Sequence, residues 1–271
     1  MELLVKYLRA YTAIMRKQQL KRGWPAKFYY IDAFAGPVFY KTRDGDEAAY
    51  VAGSPLRALQ VDLLFSGYIF IEIAPERIER LQDLQDEYPD KKLEIYQGDC
   101  NEILLQTIIP RVRKERSHAV VFLDPYGLQV EWDTIKELSK GAFDVFVNFP
   151  IMAVNRALLP TMGGPSEEQR RRLNKVMGND RWLEEEKIYI PLRTLFGEID
   201  YRRGPLPAQR LARRYEEQLR TLFKYVSRPV IMRNSKWAPL YALFLASNNR
   251  TAVKITNQIF ERYERLSLRR G

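Results

Sequence analysis

The strongest constraint on the fold is an alternation. Five short runs, nearly all apolar and rich in β-branched and aromatic residues, are each followed by a turn and a stretch of helical periodicity. They occupy residues 28–33, 68–73, 93–96, 119–123 and 143–149. Strands apolar at consecutive positions are buried on both faces, as in a parallel sheet covered by helices above and below. The alternation with short connections predicts an α/β fold, a doubly wound Rossmann-like sheet of five parallel strands.

The first run, Phe28-Tyr29-Tyr30-Ile31-Asp32, leads into Ala33-Phe34-Ala35-Gly36-Pro37-Val38. A buried strand that ends on an acid and breaks into small residues delivers its carboxyl end to a turn where backbone can approach a ligand. Upstream, residues 2–22 read as an amphipathic helix within an N-terminal segment, 1–25. Leu4, Leu8, Tyr11 and Met15 lie on one stripe of it. Residues 37–53 are polar and turn-rich and read as a mobile loop over the strand end. Gly53-Ser54-Pro55 reads as a serine N-cap with proline at the first helical position.

Beyond the fifth strand the pattern breaks. Residues 160–206 hold Gly163-Gly164-Pro165, Arg170-Arg171-Arg172, Trp182 and Arg202-Arg203. They read as an irregular or mainly helical basic insertion within a single domain, 1–271, because their apolar content is too scattered for a core of their own. A helix from about Pro207 follows, then residues 224–233 extended, a turn at Asn234-Ser235-Lys236, and a last strand at 240–246. So short a turn requires an antiparallel hairpin. A helix over 251–266 closes the chain.

Composition removes several classes. One cysteine, Cys100, leaves no intramolecular disulfide and no cysteine-rich metal site; one histidine, His118, makes a Ser-His-Asp triad or a histidine metal centre a poor fit. No metal is expected. No apolar run approaches the roughly 20 residues that cross a bilayer. Met1-Glu2-Leu3-Leu4-Val5-Lys6 lacks the layout of a secretory signal, so a cytoplasmic protein is expected. The net charge of +10 points to a polyanionic partner, nucleic acid above others.

Taken together, the strand ends resemble class I S-adenosylmethionine-dependent methyltransferases, whose parallel sheet also finishes in an antiparallel hairpin. More narrowly, the chain resembles the three-Cys-motif partner family. The matching stretches are Tyr30-Ile31-Asp32-Ala33-Phe34-Ala35-Gly36-Pro37, Gly53-Ser54-Pro55-Leu56-Arg57-Ala58-Leu59, Phe122-Leu123-Asp124-Pro125-Tyr126-Gly127 and Pro239-Leu240-Tyr241. The resemblance implies S-adenosylmethionine as cofactor and a protein partner bearing three cysteines. It places Asp32, Phe34, Ala35, Gly36 and Pro37 in the glycine-rich cofactor turn. It places Glu72 and Ile73 at the ribose, Gly98, Asp99 and Cys100 at the adenine, and Asp124 in the catalytic fourth motif, where it also contacts the cofactor. Val38 departs from the family loop, which carries a second glycine there, and puts a Cβ where backbone would meet the cofactor.

The same residues have plain alternatives. Glu72 suits ribose hydroxyls, since a carboxylate takes two donors, or an ion pair with Arg77 or Arg80. Asp99 suits the cofactor or the N-cap of the following helix. In amino-methyltransferases with a similar fourth motif, the acid and the proline carbonyl hold an exocyclic amine and the aromatic ring stacks on a flipped base. Asp124, Pro125 and Tyr126 would then be catalytic, and otherwise form a tight capped turn. The order, with the aromatic third and glycine fourth, is closer to tRNA guanosine N2-methyltransferases than to the adenine N6 pattern. Asn148-Phe149-Pro150 either lines the substrate side or ends its strand. Arg170, Arg171, Arg172, Arg202 and Arg203 are the candidate phosphate contacts, with a solvated helix face as the alternative; Arg210, Arg213 and Arg214 extend the same basic region. The expected function is methyl transfer to an amino group of a nucleic-acid base. The alternative is a non-catalytic protein of the same fold that binds nucleic acid or the three-Cys partner. A nicotinamide enzyme is disfavoured because no G-x-G-x-x-G follows the first strand.

Overall fold

A computed structural model describes residues 2–24, 27–41, 50–157, 166–180, 189–193, 199–203, 208–234 and 236–267. Its centre is a mostly parallel sheet. Strand β1 (Phe28–Asp32) lies between β4 (Gly67–Glu72) and β6 (His118–Leu123). β5 (Leu93–Gln97) flanks β4, and β7 (Phe143–Phe149) flanks β6. All these pairings are parallel. β12 (Pro239–Ser247) then runs antiparallel beside β7. Its far edge is covered by β10 (Tyr225–Val226) and β11 (Val230–Arg233), both antiparallel to it. Chain order reverses at β1, where β4 and β6 lie on opposite sides.

Side chains of a strand point alternately to its two faces, and each face has its own core. Tyr29 and Ile31 pack with Leu104 and Val112 from α4 (Cys100–Ile103) to α5 (Ile109–Lys114), Ile135 of α6 (Trp132–Ser139), and Tyr215 of α9 (Ala208–Leu222). Phe28 and Tyr30 pack on the other side with Leu8 of α1 (Glu2–Arg22), Leu56 of α2 (Ser54–Leu59), Leu81 of α3 (Pro75–Glu87) and Phe260 of α10 (Arg250–Ser267). The helix after β5 widens to a π-turn over Leu104–Ile108. Pro110 follows directly and has no N–H to return to the carbonyl four residues back, which accounts for the interruption. At the amino end of the sheet, Asp144 accepts from the Tyr7 hydroxyl at 2.6 Å and from Ser247 at 2.5 Å, tying α1 to β7 and β12.

Two expectations need correction. The region 37–53 is not simply a loop: β2 (Phe39–Lys41) and β3 (Tyr50–Ala52) pair antiparallel across it. The polar run at its centre hid the aromatic and β-branched residues at its two ends, which favour strand. The region after β7 is likewise not only helical or irregular. It carries α7 (Ile151–Ala157), α8 (Glu167–Met177) and an antiparallel pair, β8 (Tyr189–Arg193) with β9 (Ile199–Arg203). A capping box of Ser166 and Gln169 starts α8, and Gly178 ends it in the left-handed region at φ +79°. Gly163, Gly164, Pro165 and Trp182 lie outside the described residues.

Candidate active site

Beside the reversal of strand order, the carboxyl ends of β1, β4, β5 and β6 open on one cleft, the usual ligand position in such a sheet. The space it encloses is small, about 70 Å³. Ala33, Phe34, Ile71, Glu72, Ile73, Arg77, Gly98, Asp99, Cys100, Tyr126 and Gln129 line it. Phe34, Glu72, Ile73, Gly98, Asp99, Cys100 and Tyr126 are thus brought together as the sequence suggested. Among the described residues no cluster of His, Cys, Asp and Glu has the make-up of a metal site.

The rest of the first turn stands behind the wall. Asp32 is fully buried and accepts from the Tyr30 hydroxyl at 3.1 Å, the Phe34 N–H at 3.3 Å and the Ser54 hydroxyl. Burial pushes its carboxyl up to about 7, with the charge of Asp124 adding to the shift. It does not line the cleft, which corrects its assignment as a direct cofactor contact. Ser54 is corrected with it: Gly53 is the N-cap of α2 without a side-chain cap, and the serine hydroxyl serves Asp32. Ala35 is buried in the second core, and its N–H bonds the Ile71 carbonyl. Pro37 lines a neighbouring groove with Val38, Phe39 and Arg80.

Gly36, at φ +61°, gives its N–H to Glu72 at 2.9 Å. That carboxylate is 6 % exposed and also accepts from the Ile73 and Ala74 N–H groups, at 2.8 and 2.9 Å, and from Arg77 at 3.3 Å. Glu72 therefore pins the first turn to the second, and the ion pair with Arg77 is real. Arg77 in turn lies 5.7 Å over the ring of Tyr126 and bridges the first half of the cleft to the fourth strand end. Asp99 caps α4, accepting from the N–H groups of Asn101 and Glu102, and still lines the cleft. Burial pushes the Cys100 thiol up to about 12, so it is not a nucleophile.

Val38 does not obstruct the cleft. Its side chain is buried in the second core, and its carbonyl accepts from Gly53 at 2.7 Å. The close approach that a second loop glycine would supply is made at Gly53, where an added Cβ would stand 2.2 Å from the Pro37 carbonyl oxygen. Backbone must move to admit it. Gly53→Ala is expected to lower stability by about 2 kcal/mol, the scale of overpacking, read as a lower urea midpoint at unchanged slope.

At the fourth strand end, Asn148 donates its amide N–H to Asp124 Oδ1 at 2.6 Å. Burial raises the Asp124 carboxyl and this hydrogen bond opposes the rise. Pro125 is buried, and Tyr126 is 64 % exposed. Tyr241 of β12, half-buried, feels the charges of Asp124 and Arg156, which puts all three on the same side of the sheet edge. The loop that carries Asp124 is anchored by Asn101. Its side chain donates to the Gln129 carbonyl at 2.8 Å and accepts from the Glu131 N–H and the Thr134 hydroxyl, each at 2.9 Å. The anchoring role of Asn101 carried no signal in the sequence, because its partners lie about 30 residues away. Trp237 was also passed over. It is 66 % exposed at φ +59°, in a turn that Asn234 braces by accepting from the Lys236 and Ala238 N–H groups.

Arg170, Arg171 and Arg172 do not line the cleft. They are exposed on α8, where Arg171 and Arg172 pair with Glu167 and Glu168 one turn earlier. Such pairs are worth about 0.3–0.5 kcal/mol and leave the face solvated. Arg202 and Arg203 lie on β9, opposite Ile190 and Tyr189.

No protein-family model matches the chain, and no curated protein matches it. Among solved structures it is similar to protein LPL1258 from Legionella pneumophila, family model DUF519. The TM-score is 0.51, with 13% identity over 94% of this chain and 89% of that one. It is also similar to the putative methyltransferase yhhF from Escherichia coli (TM-score 0.37, 12% identity, 86% and 87% covered). A third is the N-terminal domain of EvdMO1 crystallised in the presence of SAH and D-fucose (TM-score 0.39, 10% identity, 88% and 82% covered). The last two are too distant to argue from. The Legionella likeness concerns the fold alone: this chain shares with that protein one α/β architecture along most of both lengths.

Proposed function

We propose that the chain is an S-adenosylmethionine-dependent methyltransferase acting on an amino group of a nucleic-acid base. One observation carries the reading. The carboxyl ends of β1, β4 and β5 converge on a single cleft, and the Asp124-Pro125-Tyr126 turn of the next strand stands at its rim. The residues fit the cofactor. Phe34, Ile73 and Tyr126 offer apolar surface to a purine, and Asp99 offers a carboxylate to hydroxyls. When bound there, S-adenosylmethionine supplies an electrophilic methyl group on a sulfonium. Asp124 would hold the acceptor amine with its lone pair toward that methyl, a positioning effect. Tyr126 would stack on the base.

A second reading, a non-catalytic protein of this fold, is favoured by Glu72, whose lone pairs are taken up by the protein itself. The partner would be nucleic acid or the protein that the three-Cys-motif resemblance implies. Calorimetry separates the two. Micromolar binding of S-adenosylmethionine, together with tritiated methyl transfer to deproteinised RNA or DNA, supports the enzyme; folded protein with no detectable cofactor binding removes it.

A further inference from the structure

Asp124 and Asn148 share one hydrogen bond, and each keeps an oxygen beside it. Asp124 Oδ2 has no hydrogen-bond partner among the described residues. Asn148 Oδ1 is buried and equally without a partner among them. The amide orientation is not arbitrary. A carboxylate only accepts, so Asn148 must turn its NH₂ toward Asp124 and its carbonyl outward. A buried acceptor left open is costly unless some donor meets it, so it calls for an explanation. Among the described residues no donor meets it.

We infer that Asn148 Oδ1 and Asp124 Oδ2 form a two-acceptor clamp for the two hydrogens of a primary exocyclic amine on a flat heterocycle. The inference rests on the amino-methyltransferase reading and narrows its substrate. An amine with both N–H groups engaged is fixed in rotation about its C–N bond, so its lone pair keeps one direction. An amine already bearing one methyl has a single hydrogen and must leave one acceptor open. Asn148 is thus a specificity-determining residue, and the site selects –NH₂ over –NHCH₃. Its part goes beyond that of a residue which merely orients Asp124, because its own oxygen takes the second hydrogen.

The test uses short fluorescent oligonucleotides in which adenine, cytosine or guanine carries either a free amino group or a monomethylated one. Their affinity for the full chain is read by anisotropy in the absence of cofactor. Methyl transfer from S-adenosylmethionine to the same pairs is measured alongside. The wild type is expected to prefer the free amine of one base by about tenfold in affinity, the value of one hydrogen bond. Asn148→Ala is expected to erase that preference by weakening the free-amine oligonucleotide alone. Asn148→Ser serves as a second variant should alanine unfold the strand end, and unchanged S-adenosylmethionine affinity reports an intact fold. Equal weakening of both oligonucleotides by either folded variant, or a wild type that does not distinguish them, overturns the clamp. A wild type that binds no S-adenosylmethionine and transfers no methyl group to any oligonucleotide removes the underlying reading and the clamp with it.

Discussion

Glu72→Ala is expected to abolish S-adenosylmethionine binding and to lower stability by about 3 kcal/mol, whereas Asp124→Ala leaves cofactor binding nearly unchanged and costs about 1 kcal/mol of stability through the stranded Asn148 amide. The difference follows from what each carboxylate holds. Glu72 accepts from three backbone N–H groups and from Arg77, all at the junction of the first two strand ends. Removing it strands the buried Gly36 N–H and frees the Arg77 guanidinium, and breaking a buried pair costs about 3–5 kcal/mol. Arg77 is one-third exposed, so the lower end applies. The cleft would open as the first turn relaxes. Glu72→Gln keeps the volume but turns an NH₂ toward some of the same donors, and should fall between. Asp124, by contrast, has one partner, Asn148, and lines no part of the cofactor cleft. Its loss should reduce methyl transfer by about 10²–10³-fold, the scale of one preorganised polar contact at a reacting centre. Titration calorimetry, urea melts and tritium transfer on the two variants read the contrast. Asp124→Ala that still transferred methyl groups at the wild-type rate would end its catalytic assignment.

Much of the sheet was legible because most of its strands are apolar at nearly every position. The five runs read from the sequence correspond to β1, β4, β5, β6 and β7 to within a residue or two. Leu4, Leu8, Tyr11 and Met15 are buried on α1 as their spacing required. What escaped was decided by contacts between distant segments. Ser54 has the composition of an N-cap, but a buried carboxylate 22 positions earlier competes for its hydroxyl and wins. Val38 looked like an obstruction because a loop path cannot be read from residue types; the chain turns it inward and makes the close approach at Gly53. The strand-end acids were read as equivalent ligand contacts, since each follows an apolar run. Their depths differ: Asp32 is sealed, Glu72 is saturated by the backbone, and Asp124 keeps an open oxygen. Those differences set the chemistry, and only the packed structure carries them.

The sealed acid governs how stability depends on pH. Asp32 is pushed up to about 7, first by burial and then by the charge of Asp124, against donors from Ser54, Phe34 and Tyr30 that pull it down. In the unfolded chain its carboxyl returns to the ordinary value near 4. The folded state therefore holds the proton more tightly. The stability this confers is complete below about pH 4 and is lost as pH rises through 7. At 1.36 kcal/mol for each unit, a gap of about three units amounts to roughly 4 kcal/mol. Asp32→Asn cannot ionise, and its amide can still meet the Tyr30 and Ser54 hydroxyls, which rotate to donate or accept. The variant should match the wild type near pH 4 and exceed it by up to about 4 kcal/mol at pH 8, where Asp32 is charged and dry. Urea unfolding at unit steps from pH 4 to pH 8 measures the difference between the two curves, in which every other titrating group cancels. A difference that stays flat across that window would mean that Asp32 keeps an ordinary carboxylate acidity in the folded chain. It would also mean that neither burial nor the neighbouring Asp124 governs it.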